Sequence, residues 1–306
     1  MAREQFGICA EASLHGYYLL FNVLDDKNAH VRQALSRLPA LFDKYADRFS
    51  ESNLAGVIAI GANYWDELYP AARPKQLKPF TAIECDDRIA PAGSYDLYIE
   101  IRSDRADVNH IVSTKICALL ANSVELVEQV RAFRFLDGRD LTGFVDGAEN
   151  PQGPHRRKVA LVSDEDADFT AGSYLHIQRY RHNLNLWNSL KVKAQEDIFS
   201  RTKLENEEYS NENKAPTSHI KRVNLKDDEG NSIEIVRQSM PYGDMKLQGL
   251  FFVSYCRSPE PFELMLKAMI HTDAHGHFDH MLKYTQAETG AAFFAPSLNF
   301  LAKLAQ

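Results

Sequence analysis

Two glycines bracket one carboxylate in the run Gly143-Phe-Val-Asp146-Gly147, and this run is the strongest chemical signal in the chain. Glycine reaches positive φ and lets the backbone approach a ligand closely, so the segment could press Asp146 against a flat partner. The alternative is an ordinary turn, because Asp-Gly pairs are common turn formers. The run alone does not decide between a functional loop and a turn, and residues further along the chain carry the decision.

Two polar residues in the second half could act together with Asp146. His219 ends a polar stretch, and imidazole is a common metal ligand, although a lone histidine more often caps a helix or faces solvent. Arg237 follows Ile235 and Val236, and an arginine among apolar residues is rarely buried without an anionic partner. Its guanidinium could equally reach water along the aliphatic stem. Taken singly, neither residue establishes a site.

A cluster of histidines lies closer to the C-terminal end, in the run His271-Thr-Asp-Ala-His275-Gly-His277-Phe-Asp279-His280. Histidines four apart on a helix can share a zinc ion. Gly276 and the turn-forming Asp273 argue against a continuous helix there, and no third ligand fits the spacing. The sequence therefore favours loop histidines over a zinc site.

Aromatic residues offer a further kind of chemistry. Trp65, Trp187 and the thirteen tyrosines could relay radicals from a buried centre to large donors at the surface. The more common role of aromatic side chains is to pack cores and interfaces. We therefore expect both tryptophans to be packing residues.

Length and charge limit the classes of protein to which the chain can belong. With 306 residues it is long enough for two domains, and it can bury a large core without disulfides or a structural metal. It carries 35 basic and 42 acidic residues, and a net charge of −7 argues against nucleic acid or an anionic membrane as a partner. We expect neither as a partner.

Targeting signals and cysteines bear on the cellular compartment. The first residues lead into Phe6-Gly-Ile-Cys9 without the apolar core of a signal peptide, and no run of eighteen apolar residues could span a membrane. The four cysteines are scattered without metal-ligand spacing, as expected for buried thiols in a reducing compartment; they are Cys9, Cys85, Cys117 and Cys256. The sequence predicts a cytoplasmic protein.

The elements that must position these residues follow a similar rhythm in the two halves of the chain. In the first half, apolar spacing predicts helices over residues 28–48 and Val108–Val130. Runs rich in aromatic and apolar residues predict four strands, over Tyr17–Val23, Leu54–Ile60, Tyr95–Ile101 and Arg131–Leu136.

In the second half, the predicted helices cover Asn183–Gln195 and Pro261–Ile270. The predicted strands cover Ser173–Arg181, Ser232–Met240 and Leu250–Tyr255. Between them, polar residues 200–218 predict a long surface loop, and such loops in a compact domain are usually functional or mobile.

The first half follows the order β-α-β-β-α-β, and the second half repeats its first five elements, so the two halves look like two units of this kind. We predict an α+β fold of two ferredoxin-like domains, each packing its helices on one face of an antiparallel sheet. Glycine, aspartate and proline cluster between Asp137 and Pro154, which places the joint there. We set the two domains at residues 1–142 and 143–306.

Together these features resemble the dye-decolorising peroxidases, haem enzymes with the signature Gly-x-x-Asp-Gly followed by an axial histidine and then an arginine. Here the pieces stand in that order as Gly143-Phe-Val-Asp146-Gly147, His219 and Arg237. Further stretches also look like family blocks, namely Ser200-Arg-Thr-Lys203, Ser218-His219, Ile235-Val-Arg-Gln-Ser239 and Phe293-Phe-Ala-Pro-Ser297. One block departs from the family, because Ser200 stands where many relatives have a glycine, which puts only a loop turn in question.

The resemblance implies haem b (iron protoporphyrin IX), held in the second domain with His219 as the ligand of the iron. It implies that Asp146 and Arg237 face the opposite, distal side. It places Asp279 as the carboxylate that accepts a hydrogen bond from His219, with Asp273 as the alternative. It also places six further residues around the haem, namely Gly147, Val223, Asn224, Ser239, Leu250 and Phe252.

The chemistry that the resemblance implies suits these side chains. Hydrogen peroxide would oxidise phenols, dyes or other small organic reductants through a ferryl intermediate. Asp146 would move the proton of peroxide, and Arg237 would hold peroxide and stabilise charge as the O–O bond breaks. We also expect Arg237 to keep Asp146 ionised, because a nearby opposite charge lowers the pKa of a carboxyl group.

Two other functions compete with a peroxidase. A protein for haem storage, delivery or iron release would need only a pocket and His219, so the presence of Asp146 and Arg237 favours the enzyme. A ferredoxin-like binding module without a cofactor is the other alternative. We expect a homo-oligomer, a dimer or tetramer, although no sequence feature decides the number of subunits.

Overall fold

The computed structural model describes residues 2–303, and its strands pair in antiparallel fashion throughout. Within these residues the strands are β1 His15–Val23, β2 Ala55–Gly61, β3 Ile83–Cys85, β4 Arg88–Ala90, β5 Leu97–Ser103, β6 Val124–Phe133, β7 Ser173–His182, β8 Val236–Arg237, β9 Met240–Gly243, β10 Gln248–Cys256, β11 Thr285–Ala287 and β12 Ala291–Ala295.

Most of the helices are short, and among residues 2–303 only two exceed twelve residues. The α-helices of the described residues are α1 Phe6–Cys9, α2 Asn28–Arg48, α3 Trp65–Leu68, α4 Ala106–Leu119, α5 Gly153–Ala160, α6 Leu184–Asn188, α7 Val192–Phe199, α8 His219–Val223, α9 Glu260–Ile270 and α10 Leu298–Lys303. No helix among residues 2–303 is long and apolar enough to cross a membrane.

The two halves of the chain build their sheets with the same strand order. In the first half the order is β6-β1-β5-β2, and in the second it is β12-β7-β10-β9, with β8 beside β9 on the same edge of β10. The halves then join edge to edge, because β12 pairs with β2 and β6 pairs with β9. The strands thus form one closed ring of antiparallel pairs, which leaves few exposed edges.

Alternating strand positions fill the inside of this ring with large apolar side chains. Tyr18 and Leu20 of β1 point to the same cluster as Phe251 and Val253 of β10, and all four are at most 1% exposed. The neighbouring positions on each strand point outward, since successive side chains of a strand face opposite sides of the sheet. On β10 these outward positions include Leu250 and Phe252, which become available to a site outside the ring.

A buried polar network crosses the inside of the ring between the halves. Glu100, which is fully buried, accepts hydrogen bonds from the hydroxyls of Tyr98 and Tyr255 at 2.7 Å each and forms an ion pair with Arg102. Arg102 in turn donates to Gln238 Oε1 at 2.9 Å. A buried charge is tolerated when it is paired and hydrogen-bonded, and this network satisfies both conditions.

Helices cover the outside of the ring. Apolar residues of α2 and α4, such as Leu35 and Val112, pack against the outer face of the first half. In the second half, α9 covers the outer face of β7 and β10, and Phe262 of α9 stacks on His176 of β7 with ring centroids 4.3 Å apart. The expectation of helices packed on antiparallel sheets is confirmed, and joining the two sheets into one ring is a feature that we did not predict.

The prediction of a helix over Val108–Val130 was wrong beyond residue 119. Helix α4 ends at Leu119, and β6 begins at Val124 and runs to Phe133. Leu126, Val127 and Val130 have helical spacing, but Leu126 and Val127 are 42% and 46% exposed. Pairing with β1 along its whole length therefore determines the conformation of this segment.

Two predicted elements of the second half are interrupted in the structure. The predicted helix Asn183–Gln195 is divided into α6 and α7, with Ser189 ending the first of them. The predicted strand Ser232–Met240 is reduced to β8 and the start of β9, since β10 pairs with each of them separately. The short strand β8 carries Arg237, which makes this interruption important for the site.

Candidate active site

A cavity of about 360 Å³ lies outside the ring, between the outer face of β7 and β10 and the helices α8 and α9. His219, Asp146 and Arg237 all line it, although 73 residues separate Asp146 from His219 in the sequence. The three residues singled out by type and spacing are therefore brought to one place by the fold.

The glycine-bracketed loop forms one wall of the cavity as a small antiparallel turn. The N–H of Asp140 donates to Phe144 O at 2.9 Å, and the N–H of Asp146 donates to Gly138 O at 3.1 Å. Gly143 has φ of 90°, and a Cβ there would lie 2.4 Å from Lys203 Cε, so another residue would be strained and would displace that side chain. The turn brings both Asp140 and Asp146 to the cavity.

Asp146 and Arg237 form an ion pair across part of the cavity. Arg237 Nη1 lies 3.8 Å from Asp146 Oδ1, and about a quarter or less of each side chain is exposed. Asn150 connects the two elements, because it binds the backbone of Arg237 and lies just after the turn that holds Asp146. Gly147, with φ of 72°, leaves room for Asn150: a Cβ on residue 147 would lie 2.9 Å from Asn150 Nδ2.

The pKa of Asp146 departs from our expectation. Burial in the cavity wall raises the pKa of this carboxyl group above its ordinary value, and the negative charge of Asp140 adds to the rise. Arg237 lowers the pKa, as expected, but burial outweighs it. The correction is that Arg237 limits the rise and does not bring the pKa below its usual range.

His219 is oriented by a carboxylate behind it. Asp279, fully buried, accepts a hydrogen bond from His219 Nδ1 at 2.6 Å, and its other oxygen accepts the N–H of Met281 at 2.9 Å. With Nδ1 engaged, Nε2 is the nitrogen available to the cavity. Asp273, the alternative carboxylate, instead bonds His277 Nδ1 at 3.1 Å. The predicted contact between His219 and Asp279 is therefore present.

The structure divides the remaining predicted residues into two groups. Val223, Asn224, Leu250 and Phe252 line the cavity. Gly147, Ser239 and Asp279 are not among the described residues that line it: Asp279 lies behind His219, Gly147 belongs to the turn, and Ser239 accepts the N–H of Val253 at 3.2 Å. For Ser239 the contact observed is thus with the sheet.

Family comparisons agree with this geometry. The family model described as "Dyp-type peroxidase, N-terminal" matches residues 5–134, and the model described as "Dyp-type peroxidase, C-terminal" matches residues 137–300. The chain belongs to the Dyp-type peroxidase family. The predicted resemblance is therefore confirmed, and with it the class of enzyme, a haem-dependent oxidoreductase.

Individual relatives support the assignment along the whole chain. The dye-decolorizing peroxidase of Mycobacterium tuberculosis is 37% identical over 93% of this chain and 85% of its own length. A crystal structure of a Shewanella oneidensis protein is 53% identical with a TM-score of 0.97 over 99% of both chains. A variant of DypB from Rhodococcus jostii, solved in complex with heme, is 32% identical with a TM-score of 0.93 over 97% of both chains.

The cavity of this Dyp-type peroxidase suits a large flat cofactor with an iron centre. It offers a carboxylate-bonded imidazole as the donor, and much of its wall is apolar, including Val223, Leu250 and Phe252. Gln178 also lines the cavity, and its buried Nε2 has no hydrogen-bond partner within residues 2–303. A buried hydrogen-bond donor without a partner is rare in a folded protein and marks a place where a ligand can supply an acceptor.

Sequence reasoning missed an acid and a histidine that line the same cavity. Asp140 Oδ1 lies 3.0 Å from His182 Nε2, and the imidazole of His182 is 4% exposed. His182 is the last residue of β7, at the end of an alternating strand pattern, and Asp140 stands three residues before Gly143. The only available signal was an acidic residue beside the glycine run, which is weak without the fold.

The rival histidines lie in a loop and not on a continuous helix. Within residues 2–303, no group of three or more histidine, cysteine, aspartate or glutamate side chains could hold a metal ion. His275 and His277 lie in an exposed turn around Asp273, which accepts the N–H of each of them at 2.9 Å. This agrees with the prediction of loop histidines.

Both tryptophans are fully buried, as expected for packing residues. Trp65 packs against Phe169 and Phe294 in the core under α2 and α4. Trp187 packs against Phe199 beside the cavity, and its Nε1 donates to Thr142 O at 2.9 Å.

Ser200, which stands where many relatives have a glycine, lies at the end of α7 with φ of 58°, the conformation that glycine would adopt without strain.

Proposed function

We propose that this protein is a peroxidase that uses haem b and hydrogen peroxide to oxidise small organic reductants such as phenols and dyes. The observation that carries the proposal is the meeting of three groups in one cavity: an imidazole bonded to a buried carboxylate, a second carboxylate and a guanidinium. Family membership and a heme-bound relative support the same reaction class.

The fold supports a division into two ferredoxin-like domains with the haem in the second. Both halves have the strand order 4-1-3-2 that this architecture requires when strands are numbered within each half. We propose residues 1–142 and 143–306 as the domains. The cavity is lined from residues 140–285, almost all within the second of them.

His219 is proposed to bind the iron through Nε2. Its hydrogen bond to Asp279 fixes the tautomer with the proton on Nδ1 and makes the imidazole a stronger donor. Haem, when bound, supplies an iron that accepts peroxide and stores the oxidising equivalents taken from it. The apolar residues Val223, Leu250 and Phe252 would contact the ring and exclude water.

Asp146 and Arg237 are proposed to act on peroxide. Asp146 takes the proton from one peroxide oxygen and returns it to the departing oxygen, which leaves as water. Arg237, which is always cationic, holds peroxide and stabilises the negative charge that develops while the O–O bond breaks. The raised pKa of Asp146 helps the second half of this transfer, because a carboxylate with a higher pKa holds the proton more readily.

Arg201 is the cation best placed for the carboxylates of haem b. It lines the cavity, is 7% exposed, and its Nη2 bonds Glu149 at 2.6 Å and Glu208 at 3.1 Å. Because Arg201 is almost buried at the cavity wall, it could replace one of these glutamates with a carboxylate of haem and remain paired with a negative charge. Gln178, with an unpaired Nε2, could donate to a ligand in the same cavity.

The second candidate function is haem storage, delivery or iron release. It requires the cavity and His219, but it gives no role to the ion pair of Asp146 and Arg237. The peroxidase accounts for all three residues and is the proposal that we retain. A cytoplasmic location and a dimer or tetramer remain predictions, and the net charge of −7 gives no support to a nucleic-acid partner.

The test combines spectra with turnover. Purified protein loaded with haem is expected to show a Soret band that His219→Ala removes or shifts, and to oxidise a phenolic donor with peroxide. Asp146→Asn and Arg237→Leu should keep the Soret band and lose most of the turnover. If both variants turn over at the wild-type rate while haem passes readily to an acceptor apoprotein, the haem-handling function replaces the peroxidase.

A further inference from the structure

Asp140 and His182 form a buried acid–imidazole pair for which the proposed reaction so far has no role. Asp140 Oδ1 lies 3.0 Å from His182 Nε2, and His182 Nδ1 lies 2.8 Å from the hydroxyl of Thr285. We propose that these three residues are a proton relay that connects the cavity of Asp146 with solvent on the other side of the wall. This inference rests on the proposed peroxidase function.

The chemistry of the proposed reaction requires such a path. Breaking peroxide down to two waters consumes two electrons and two protons in addition to the two protons that peroxide carries. Asp146 can move the protons of peroxide between its two oxygens, but it cannot supply new ones repeatedly without being reloaded. A buried acid in a cavity wall therefore needs a route by which protons return to it.

The inner end of the relay lies in the same cavity as Asp146. Asp140 and Asp146 belong to one short turn, and both line the cavity. The charge of Asp140 raises the pKa of Asp146, which shows that the two carboxylates interact. Thr142 holds the second oxygen of Asp140, donating from its N–H at 3.1 Å and its hydroxyl at 2.7 Å. Asp140 Oδ1 is thereby directed to His182.

The outer end of the relay opens to a second cavity, of about 450 Å³. His182, Thr285 and Tyr180 line both cavities, so they form the wall between them. The second cavity is bordered by exposed residues of the protein surface, among them Arg181 and Lys283. The hydroxyl of Thr285 and the imidazole of His182 are in contact and border both cavities, so a proton can pass from one cavity to the other through them.

The proposed transfer conserves protons and charge. A proton from solvent in the second cavity adds to His182 Nδ1 by way of the Thr285 hydroxyl, and the N–H bond at Nε2 breaks to give its proton to Asp140 Oδ1. The imidazole is neutral before and after, with its tautomer exchanged. Asp140 then passes the proton across the cavity to Asp146, and no redox partner is needed. The imidazole then rotates to bring its N–H back to Asp140 Oδ1, which resets the pair without gain or loss of a proton.

The first experiment separates the two stages of the reaction in the haem-loaded full chain. His182→Gln keeps the size and polarity of the side chain but cannot carry a proton between two nitrogens. The spectral change that follows peroxide should keep its rate within about twofold, since peroxide supplies both of its protons. The return of the resting spectrum on adding ferrocyanide, which brings electrons without protons, should slow by roughly tenfold or more.

His176→Gln is the matched control. It makes the same substitution on the same strand and face, but His176 stacks on Phe262 and is not among the described residues that line either cavity. Burial, with the charge of Lys78, lowers the pKa of His176 to about 3, and the stacked ring connects no cavity with another, so it has no place in a proton path. Its variant should react with ferrocyanide at the wild-type rate.

Thr285→Val provides a second variant, because it leaves the Asp140–His182 pair in place and removes only the outer hydroxyl. It should also slow the ferrocyanide stage while sparing the peroxide stage. If His182→Gln fails to fold, Thr285→Val still decides the question. If both variants slow the peroxide stage and the ferrocyanide stage equally, His182 and Thr285 have only a structural role, and the relay is overturned.

A readout independent of turnover is the exchange of the His182 ring N–H with water. In the diamagnetic carbon monoxide complex of the reduced haem protein, histidine-selective ¹⁵N labelling should show a His182 ring proton that exchanges quickly, and more slowly in Thr285→Val. A ring proton protected from exchange would exclude the relay. Loss of turnover in the wild type would instead refute the peroxidase proposal itself, so the two failures are distinguishable.

Discussion

The side-chain amide of Asn150 binds the backbone of Arg237 through both of its ends. Its Nδ2 donates to Arg237 O at 2.7 Å, and its Oδ1 accepts the N–H of Arg237 at 2.8 Å. This asparagine follows the glycine-bracketed turn, so it ties the position of Arg237 to that of Asp146. The 3.8 Å ion pair between Asp146 and Arg237 therefore depends on Asn150, an uncharged residue that binds only the backbone of Arg237.

Asn150→Ala should displace Arg237 without removing it. We expect haem binding to be retained and turnover with peroxide to fall by roughly tenfold to a hundredfold, because small misplacements of catalytic groups have effects of this size. Steady-state kinetics with a phenolic donor measures the change. Asn211→Ala, in the exposed polar loop, is the control and should have no effect; a wild-type rate for Asn150→Ala would show that the clamp is dispensable.

The pH dependence of activity should report the balance of charges around Asp146. The base must be ionised, so activity is lost as the pH falls through the pKa of this carboxyl group. Arg237 lowers that pKa, and Arg237→Leu removes the effect, so the acid limb of the pH profile should move upward by about one unit or more.

The measurement for this prediction is the rate of the spectral change after peroxide addition between pH 3 and 8, normalised to its plateau. Arg134→Leu removes an exposed arginine outside the cavity and should leave the limb in place. An unshifted limb in Arg237→Leu would mean that the titrating group is not Asp146.

Asp279→Asn should weaken the imidazole of His219 as a ligand. Asparagine has the shape of aspartate but lacks its charge, so the imidazole becomes less basic. We expect haem affinity or activity to fall by roughly tenfold or more and the midpoint potential of the iron to rise. Spectroelectrochemistry and haem titration measure both effects. Asp273→Asn, which changes the carboxylate beside His277, is the control and should leave both quantities unchanged.

The stability of the ring should depend on the buried pair of Glu100 and Arg102. Arg102→Met leaves Glu100 charged without its partner, and we expect a loss of about 3–5 kcal/mol in the free energy of unfolding. Arg105→Met removes an arginine that is 41% exposed and should cost far less, because solvent screens an exposed ion pair. Denaturant unfolding compares the two variants. Equal losses would show that burial does not control the contribution of the pair.

Sequence patterns were sufficient for the elements whose side chains repeat with one clear period. Helix α2 covers residues 28–48 as predicted, and β1, β7 and β10 agree with their predictions within about two residues at each end, since their apolar residues face a core throughout. Sequence patterns failed for β6, because the exposed Leu126 and Val127 have the spacing of a helix. The conformation of this partly exposed strand is determined by its pairing with β1.

The sequence by itself determined the chemistry available to this protein. It contains an aspartate between glycines, a histidine and an arginine in an order that resembles one enzyme family, and membership of that family is confirmed. Only the tertiary structure decided which further groups join them. Asp140, Asn150 and His182 acquire their roles from contacts over 42 and 87 residues of chain, and no local periodicity encodes such contacts. The net pKa shift of Asp146 was also beyond the sequence, because burial is a property of the folded cavity and outweighs the charge that could be foreseen.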